Sequence, residues 1–296
     1  MSSKIIMLGG RRAGKSTILA TIIHQLQNRT PGTAFTISDQ THYESGGNVF
    51  TLNQKRIEIE NYITTRLRTN AANNSNFLVN MNPSNTSITY SLKTQVNGGA
   101  DVYFDFVDVP GEWMNPQSTN HNELIDEIRS SDVFIIAIDT PYMMQDNSLV
   151  NEVYNRIEPI TNMVANLTIE DASIDKKLII LCPVKCEKWT NAGTIDHVVE
   201  KVKQSYRHLI NTWVNNPAVD IWIMPIETAG GIEHSRMLDA YKVFRTENDR
   251  IGETCSIIEE TGQILLSQGN LMNPDKVIVS ENPDQEWCVD SVQIPL

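Results

Sequence analysis

Residues 5 to 16 read Ile5-Ile6-Met7-Leu8-Gly9-Gly10-Arg11-Arg12-Ala13-Gly14-Lys15-Ser16, an apolar strand followed directly by a G-x-x-x-x-G-K-S loop. Glycines at both ends of such a loop let the backbone curl until its N–H groups point at phosphate oxygens. The lysine of this pattern reaches the β- and γ-phosphates, the serine hydroxyl contacts Mg²⁺, and the next helix directs its positive dipole end at the anion. The stretch therefore predicts a nucleoside triphosphate site. The residues expected to contact the nucleotide are Gly9, Gly10, Arg11, Arg12, Ala13, Gly14, Lys15, Ser16 and Thr17.

The overall charge argues against two classes of partner. The chain of 296 residues has a formal net charge of −12 and no run rich in lysine and arginine. Bulk charge therefore favours neither nucleic acid nor an anionic membrane as a partner. The longest apolar stretches, such as Val133 to Ile138, are far too short to span a bilayer, and no apolar leader precedes the first strand. We expect a soluble cytoplasmic protein.

Four cysteines, Cys182, Cys186, Cys255 and Cys288, match neither a zinc-binding pattern nor a disulfide framework. Free thiols are therefore expected. Cys182 and Cys186 are close enough in sequence to form a redox pair, whereas buried small residues beside a strand end are the more common arrangement.

The order of strands and helices predicts the fold class. Two alternating segments, Ser87 to Thr94 and Val102 to Asp108, flank Asn97-Gly98-Gly99 and predict a β-hairpin. Further apolar strands are expected at 133–138, 178–182 and 221–226, separated by helical segments at 122–129, 149–167 and 195–214. This alternation predicts a three-layer α/β fold with a mostly parallel sheet and one antiparallel hairpin strand.

We expect residues 1–231 to form one nucleotide-binding domain with a long insertion at residues 28–85. The insertion is interpreted as a partner-facing or self-association element. Residues 232–296 are expected to form a C-terminal extension that packs on the same domain, beginning with a helix from Ser235 to Phe244.

A second motif follows the hairpin, where the sequence reads Asp108-Val109-Pro110-Gly111-Glu112. A D-x-P-G run at a strand end after an antiparallel hairpin resembles Ras-like (TRAFAC-class) P-loop GTPases. The resemblance implies that Asp108 holds Mg²⁺ through a water and that the Gly111 N–H contacts the γ-phosphate. Glu112 stands where these proteins carry a water-orienting glutamine, and its charge near the γ-phosphate predicts slow hydrolysis. The alternative is an aspartate that caps a turn without metal.

A third motif concerns the base. Ras-like proteins recognise guanine with N/T-K-x-D after a strand, and this chain has Val184-Lys185-Cys186-Glu187 there. The resemblance implies that Lys185 lies along the base and that Glu187 accepts hydrogens from guanine, while Val184 departs from the pattern. Thr228 and Ala229 stand where the family places a base-edge loop. A solvated lysine and glutamate in a polar loop remain the alternative.

Two further site residues are expected from the same resemblance. Thr86, just before the hairpin, occupies the place of the first-switch threonine that contacts Mg²⁺, although threonine is ordinary at a strand edge. Arg12 falls where guanylate-binding and atlastin-like GTPases carry an internal arginine finger, which would act after dimerisation. The competing interpretation is that Arg11 and Arg12 are exposed or paired with acidic groups.

Within this class the glycine-rich run and the D-x-P-G-E-W segment most resemble bacterial YcjX-like and double-GTPase proteins, some found in conflict and defence systems. The resemblance covers roughly the first 230 residues. It implies a switch that binds GTP or GDP, with effector proteins contacting the switch segments and residues 28–85. Lys15, Glu112, Arg12 and Thr86 are the expected catalytic residues, and Ser16, Thr86 and Asp108 the expected Mg²⁺ ligands. Two alternatives stay open: a non-hydrolysing nucleotide-dependent scaffold and an ATP-dependent small-molecule kinase.

Overall fold

The computed structural model describes residues 2–10, 13–19, 22, 35–39, 43–45, 48–50, 57, 87–96, 99–145, 148–167, 176–227, 232–244, 253–257, 264–266, 271–272, 278–279 and 284–291. By its internal contacts the chain divides into two compact units. One comprises Met1–Ile59 and Pro83–Thr228, and the other comprises Glu60–Asn82 and Ala229–Leu296.

The first unit is built on a seven-stranded sheet. Its strands are β1 (Ser2–Leu8), β2 (Phe35–Asp39), β5 (Ile88–Val96), β6 (Val102–Asp108), β7 (Val133–Asp139), β8 (Lys177–Val184) and β9 (Val219–Ile223). The spatial order is β2-β5-β6-β1-β7-β8-β9. The five strands from β6 to β9 run parallel, whereas β5 pairs antiparallel with β6 and with β2. The mostly parallel sheet with its antiparallel hairpin strand is thus confirmed. Strand β2, inside the predicted insertion, was not expected.

Helices follow the strands as β–α alternation requires. Residues 15–19 and 22 are helical and form α1. The others are α2 (His121–Arg129), α3 (Thr140–Met143), α4 (Ser148–Asn155), α5 (Ile157–Ala165), α6 (Glu187–Asn191), α7 (Ile195–Ser205) and α8 (Arg207–Trp213). The two long predicted helices are each broken. Arg156 adopts a left-handed φ of 54° between α4 and α5, and Tyr206 separates α7 from α8.

Two apolar cores cover the two faces of the sheet, because successive side chains of a strand point to opposite faces. Ile5 and Met7 of β1 pack in one core with Ile18 of α1. Ile6 and Leu8 pack in the other core, which includes buried residues of α2, α5, α7 and α8. The three-layer arrangement expected from the sequence is therefore confirmed. Because both faces of the sheet are covered, a binding site can form at the ends of the strands.

The second unit contains strands only, as far as the chain is described. They are β10 (Ile232–Phe244), β11 (Glu253–Ile257), β12 (Ile264–Leu266), β13 (Leu271–Met272), β14 (Ile278–Val279) and β15 (Asp284–Ser291). Strand β10 pairs antiparallel with β15, β11 and β14. The helix predicted for Ser235–Phe244 is wrong, because pairing with distant strands overrides local helical spacing. That residues 232–296 pack on the nucleotide-binding domain stays a prediction.

Strands β3 (Tyr43–Ser45) and β4 (Asn48–Phe50) pair antiparallel within residues 28–85. Among the helices that the structure describes, none combines the length and apolarity needed to cross a bilayer.

Candidate functional site

The carboxyl ends of four parallel strands meet along one edge of the sheet. The loop that begins at Gly9 follows β1, Asp108 ends β6, Asp139 ends β7, and Lys185 follows β8. Met7 pairs with Asp108 across β1 and β6, and Asp139 pairs with Val184 across β7 and β8. In open α/β sheets this edge is where ligands bind. The fold therefore gathers the residues of three separate sequence motifs at one place.

Gly9 and Gly10, at the start of the loop, occupy two successive positions where a Cβ would overlap neighbouring backbone atoms. Gly9 has φ +146°, and a Cβ there would lie 2.6 Å from the carbonyl oxygen of Ala137 in β7. A Cβ on Gly10 would lie 1.8 Å from the carbonyl oxygen of Tyr154 in α4. Both neighbours are backbone atoms that no rotamer change can move away. The motif accepts any residue at the position of Gly10, so this second requirement could not be predicted from the motif.

The lysine of the loop is a buried cation. Lys15 is 8% exposed, and its Nζ donates hydrogen bonds of 3.0 Å to the carbonyl oxygens of Gly9 and Gly10. Burial lowers the pKa of Lys15 below its ordinary value, and the nearby carboxylates of Asp108 and Glu112 offset part of that shift. A positive charge held by two carbonyls in this way can transfer its hydrogen bonds to phosphate oxygens.

The serine of the loop lies next to the aspartate of the second motif. Ser16 Oγ donates a hydrogen bond of 2.6 Å to Asp108 Oδ2, and Asp108 is 7% exposed. A hydroxyl and a carboxylate are hard oxygen donors of the kind that Mg²⁺ prefers. Among the described residues there is no cluster of three or more His, Cys, Asp or Glu that could hold a metal. Mg²⁺ is commonly bound by one or two carboxylates together with substrate phosphates.

The segment after Asp108 is a short 3-10 helix, Gly111–Met114, anchored by its apolar side chains. Trp113 and Met114 are buried, and the Trp113 N–H donates a hydrogen bond of 3.1 Å to the carbonyl of Pro110. Glu112 is the exposed residue of this turn, and its charge acts on Lys15. Glu112 thus lies close enough to act on the loop lysine, and the roles assigned to Gly111 and Glu112 at the γ-phosphate stay predictions.

The third motif takes a form that the sequence did not indicate. Lys185 has a left-handed φ of 60°, and its Nζ forms an ion pair with Oδ2 of Asp139. Asp139 is 2% exposed, and burial raises its pKa, an effect that the Lys185 cation partly offsets. Glu187, the first residue of α6, is 1% exposed. Sequence reasoning missed Asp139, although an aspartate that ends an apolar parallel strand is a usable signal.

Of the remaining predicted site residues, Ala13, Gly14 and Thr17 lie in the described loop and the start of α1. Five predicted positions, Arg11, Arg12, Thr86, Thr228 and Ala229, lie outside the described residues, so their assigned roles stay predictions.

No family model matches the chain, and no curated protein matches it. Among solved structures it is similar to the S. cerevisiae Ski7 GTPase-like domain bound to GTP. The TM-score is 0.41 and the sequence identity 12%, over 100% of this chain and 71% of that chain. A similarity of this size carries no inference about activity.

Proposed function

We propose that the chain binds a purine nucleoside triphosphate together with Mg²⁺, favours GTP, and hydrolyses the γ-phosphate slowly. The observation that carries this proposal is the arrangement of two adjacent loop residues. The buried Nζ of Lys15 donates hydrogen bonds to two loop carbonyls, and the Ser16 hydroxyl donates a hydrogen bond of 2.6 Å to the Asp108 carboxylate. Lys15 would neutralise phosphate charge, and Ser16 and Asp108 would supply oxygen ligands beside it.

The residues of the loop would act mainly by position and charge. Lys15 would exchange its bonds to Gly9 and Gly10 for bonds to phosphate oxygens, which compensates the negative charge of the triphosphate. Ser16 and Asp108 would hold Mg²⁺, which supplies charge compensation on the β- and γ-phosphates when bound. Glu112, exposed beside Lys15, would accept a hydrogen bond from the attacking water.

Guanine preference is proposed from Lys185 and Glu187, with Thr228 and Ala229 along the edge of the base. The support is the position of Lys185 directly after β8, at the edge of the sheet that also carries the phosphate loop. Arg12 as an arginine finger in a dimer and Thr86 as a Mg²⁺ ligand complete the proposed machinery. Effector contacts through residues 28–85 and a place among bacterial YcjX-like proteins of conflict systems belong to the same proposal.

A second function is favoured by one specific observation. The carboxylate of Glu112 lies close enough to Lys15 to affect its pKa, so negative charge stands beside the expected γ-phosphate. A chain that binds GTP but repels the attacking water would be a nucleotide-dependent scaffold rather than an enzyme.

Phosphate release from GTP and Mg²⁺, with no acceptor added, separates the two. Turnover by the wild-type chain supports a GTPase, whereas GTP that is bound and recovered intact supports a scaffold. Nucleoside diphosphate that forms only when an acceptor molecule is added, with the γ-phosphoryl group recovered on that acceptor, would overturn both and indicate a kinase.

A further inference from the structure

An ion pair at the site joins Lys185 of the third motif to Asp139, a residue outside all three motifs. Asp139 ends β7 and forms its ion pair with Lys185, which follows β8. The Asp139 side chain is 3% exposed and that of Lys185 is 16% exposed, so the pair is shielded from solvent. Removing one partner of such a pair leaves the other charge uncompensated, whereas an intact pair fixes both side chains.

The backbone of Asp139 is held just as firmly. Asn155, at the end of α4 and fully buried, accepts a 2.6 Å hydrogen bond from the Asp139 N–H through its Oδ1. Its Nδ2 donates to the Asp139 carbonyl at 3.2 Å and to Asn151 Oδ1 at 2.9 Å. A side-chain amide that satisfies both backbone groups of one residue imitates a neighbouring strand. Asp139 therefore has little freedom to move.

The same helix end touches the phosphate loop. The carbonyl of Tyr154 occupies the space that a Cβ on Gly10 would need, and Asn155 is the next residue. One end of α4 thus makes two contacts. Tyr154 contacts the loop that would hold the phosphates, and Asn155 contacts Asp139, the partner of Lys185. The distance between the phosphate-binding and base-binding parts of the site is set in part by this helix end.

We propose that Asp139, held by Asn155, is a positioning residue that fixes Lys185 as the platform for the base of the nucleotide. This inference rests on the proposed function and deepens it. With Nζ anchored on Asp139, the four-carbon stem of Lys185 is held along the sheet edge, where an apolar stem can carry a purine ring. The strained left-handed backbone of Lys185 is tolerated because the surrounding contacts determine it.

The test compares a ligand that has a base with one that lacks it. Calorimetry with Mg²⁺ measures the affinities of GTP and of inorganic tripolyphosphate for the wild type and for Asp139→Asn, which removes the charge and keeps the shape. We expect Asp139→Asn to bind GTP about tenfold more weakly, since a hydrogen bond between charged groups is worth at least that factor. The affinity for tripolyphosphate should change less than about twofold, because Lys15 and Ser16 remain in place. A merely structural role of Asp139 would lower the affinities for both ligands by the same factor and leave the ratio of the two affinities unchanged.

Asp132→Asn is the matched control. Asp132 precedes β7 and lies 4.0 Å from Lys177 at the start of β8, so it joins the same two strands at the opposite edge of the sheet. The control should keep the wild-type ratio of the two affinities. If Asp139→Asn does not fold, Asp139→Glu and Asp139→Gln replace it, because they differ only in charge. Asp139→Glu should then have a larger ratio of GTP affinity to tripolyphosphate affinity than Asp139→Gln.

The outcomes separate two failures. If the wild type binds neither ligand, the proposed function itself is wrong. If the wild type favours GTP over tripolyphosphate and Asp139→Asn has the same ratio of affinities, the role assigned to Asp139 is overturned. Equal ratios in Asp139→Gln and Asp139→Glu would overturn it as well.

Discussion

The hydroxyl of Ser16 donates a hydrogen bond of 2.6 Å to the carboxylate of Asp108, 92 residues further along the chain. Two motifs that are separate in sequence thereby meet at a single point. The contact depends on the parallel pairing of β1 and β6. This pairing places Met7 beside Asp108, so the loop that follows β1 begins next to this aspartate.

Ser16→Ala should make nucleotide binding less dependent on Mg²⁺. The variant loses one oxygen ligand, so we expect the affinity for GTP measured with Mg²⁺ to fall about tenfold and the affinity in EDTA to change little. Ser91→Ala is the matched control, because Ser91 Oγ donates to Asp105 Oδ1 at 2.5 Å in the hairpin, away from the loop. An equal loss with and without Mg²⁺ would argue against Ser16 as a metal ligand.

Gly10→Ala should damage the loop far more than a change of backbone preference accounts for. The new Cβ would overlap the carbonyl of Tyr154 at 1.8 Å, so α4 or the loop must shift. We expect a loss of at least about 2 kcal/mol in the free energy of unfolding, as for overpacking in a core, and weakened nucleotide binding. Denaturant unfolding and calorimetry measure the two effects.

Gly193→Ala supplies the comparison for Gly10→Ala. Gly193 has φ +65° and open space around its missing Cβ, so only backbone strain of about 1 kcal/mol is expected, with normal nucleotide binding. Equal stability losses in the two variants would mean that the contact between Gly10 and Tyr154 is unimportant.

Glu187→Ala should reduce the preference for GTP over ATP in a competition experiment. We expect GTP to bind about tenfold more weakly, because a charged acceptor for the base is lost, while ATP binding stays the same. Glu200→Ala, on the exposed surface of α7 and paired with Lys203, is the control. An unchanged preference in the Glu187 variant would refute the assignment of base recognition to this residue.

The free energy of unfolding should decrease at alkaline pH because a buried thiol resists ionisation in the folded state. Burial raises the pKa of Cys186 from its ordinary value of 9.0 to about 11. The thiol of the unfolded chain ionises first, so the unfolded state holds fewer protons and the free energy of unfolding decreases as pH rises from 9.0 to about 11. The expected contribution is about 2 kcal/mol.

Urea unfolding of wild type and Cys186→Ala at the two ends of that range measures the contribution of the thiol. The decrease in unfolding free energy should be smaller in the variant. Cys182 and Tyr206 also have pKa values raised by burial, so some decrease should remain. Identical decreases in the two proteins would show that Cys186 does not titrate as expected.

The elements that local pattern determines could be predicted from the sequence. The loop from Gly9 to Ser16 has the spacing that is typical of phosphate-binding loops, and the hairpin alternates with a period of two. The strands that follow are apolar runs bounded by polar residues, as buried parallel strands are. The sheet and the carboxyl edge that carries Asp108 follow from these patterns.

The rest depends on contacts between distant residues. No local pattern indicates that Asp139 holds Lys185 or that Asn155 holds Asp139, because these side chains meet only after β7, β8 and α4 are in place. The helical spacing of Ser235–Phe244 is likewise overridden by pairing with β15. The break at Arg156 is a backbone conformation that its residue type does not favour.

The proposed function requires that Lys15 and its loop hold the phosphates of a nucleotide. Calorimetric titration of the intact chain with GTP and with ATP, in the presence of Mg²⁺, tests it most directly when repeated on Lys15→Met. Lys4→Met serves as the control, because Lys4 lies at the other end of β1 and pairs with Glu127. We predict measurable binding with GTP tighter than ATP, retained by Lys4→Met and weakened at least about tenfold by Lys15→Met. No heat of association with either nucleotide would show that the chain does not bind these triphosphates, and equal affinities for Lys15→Met and the wild type would show that Lys15 does not hold the phosphates.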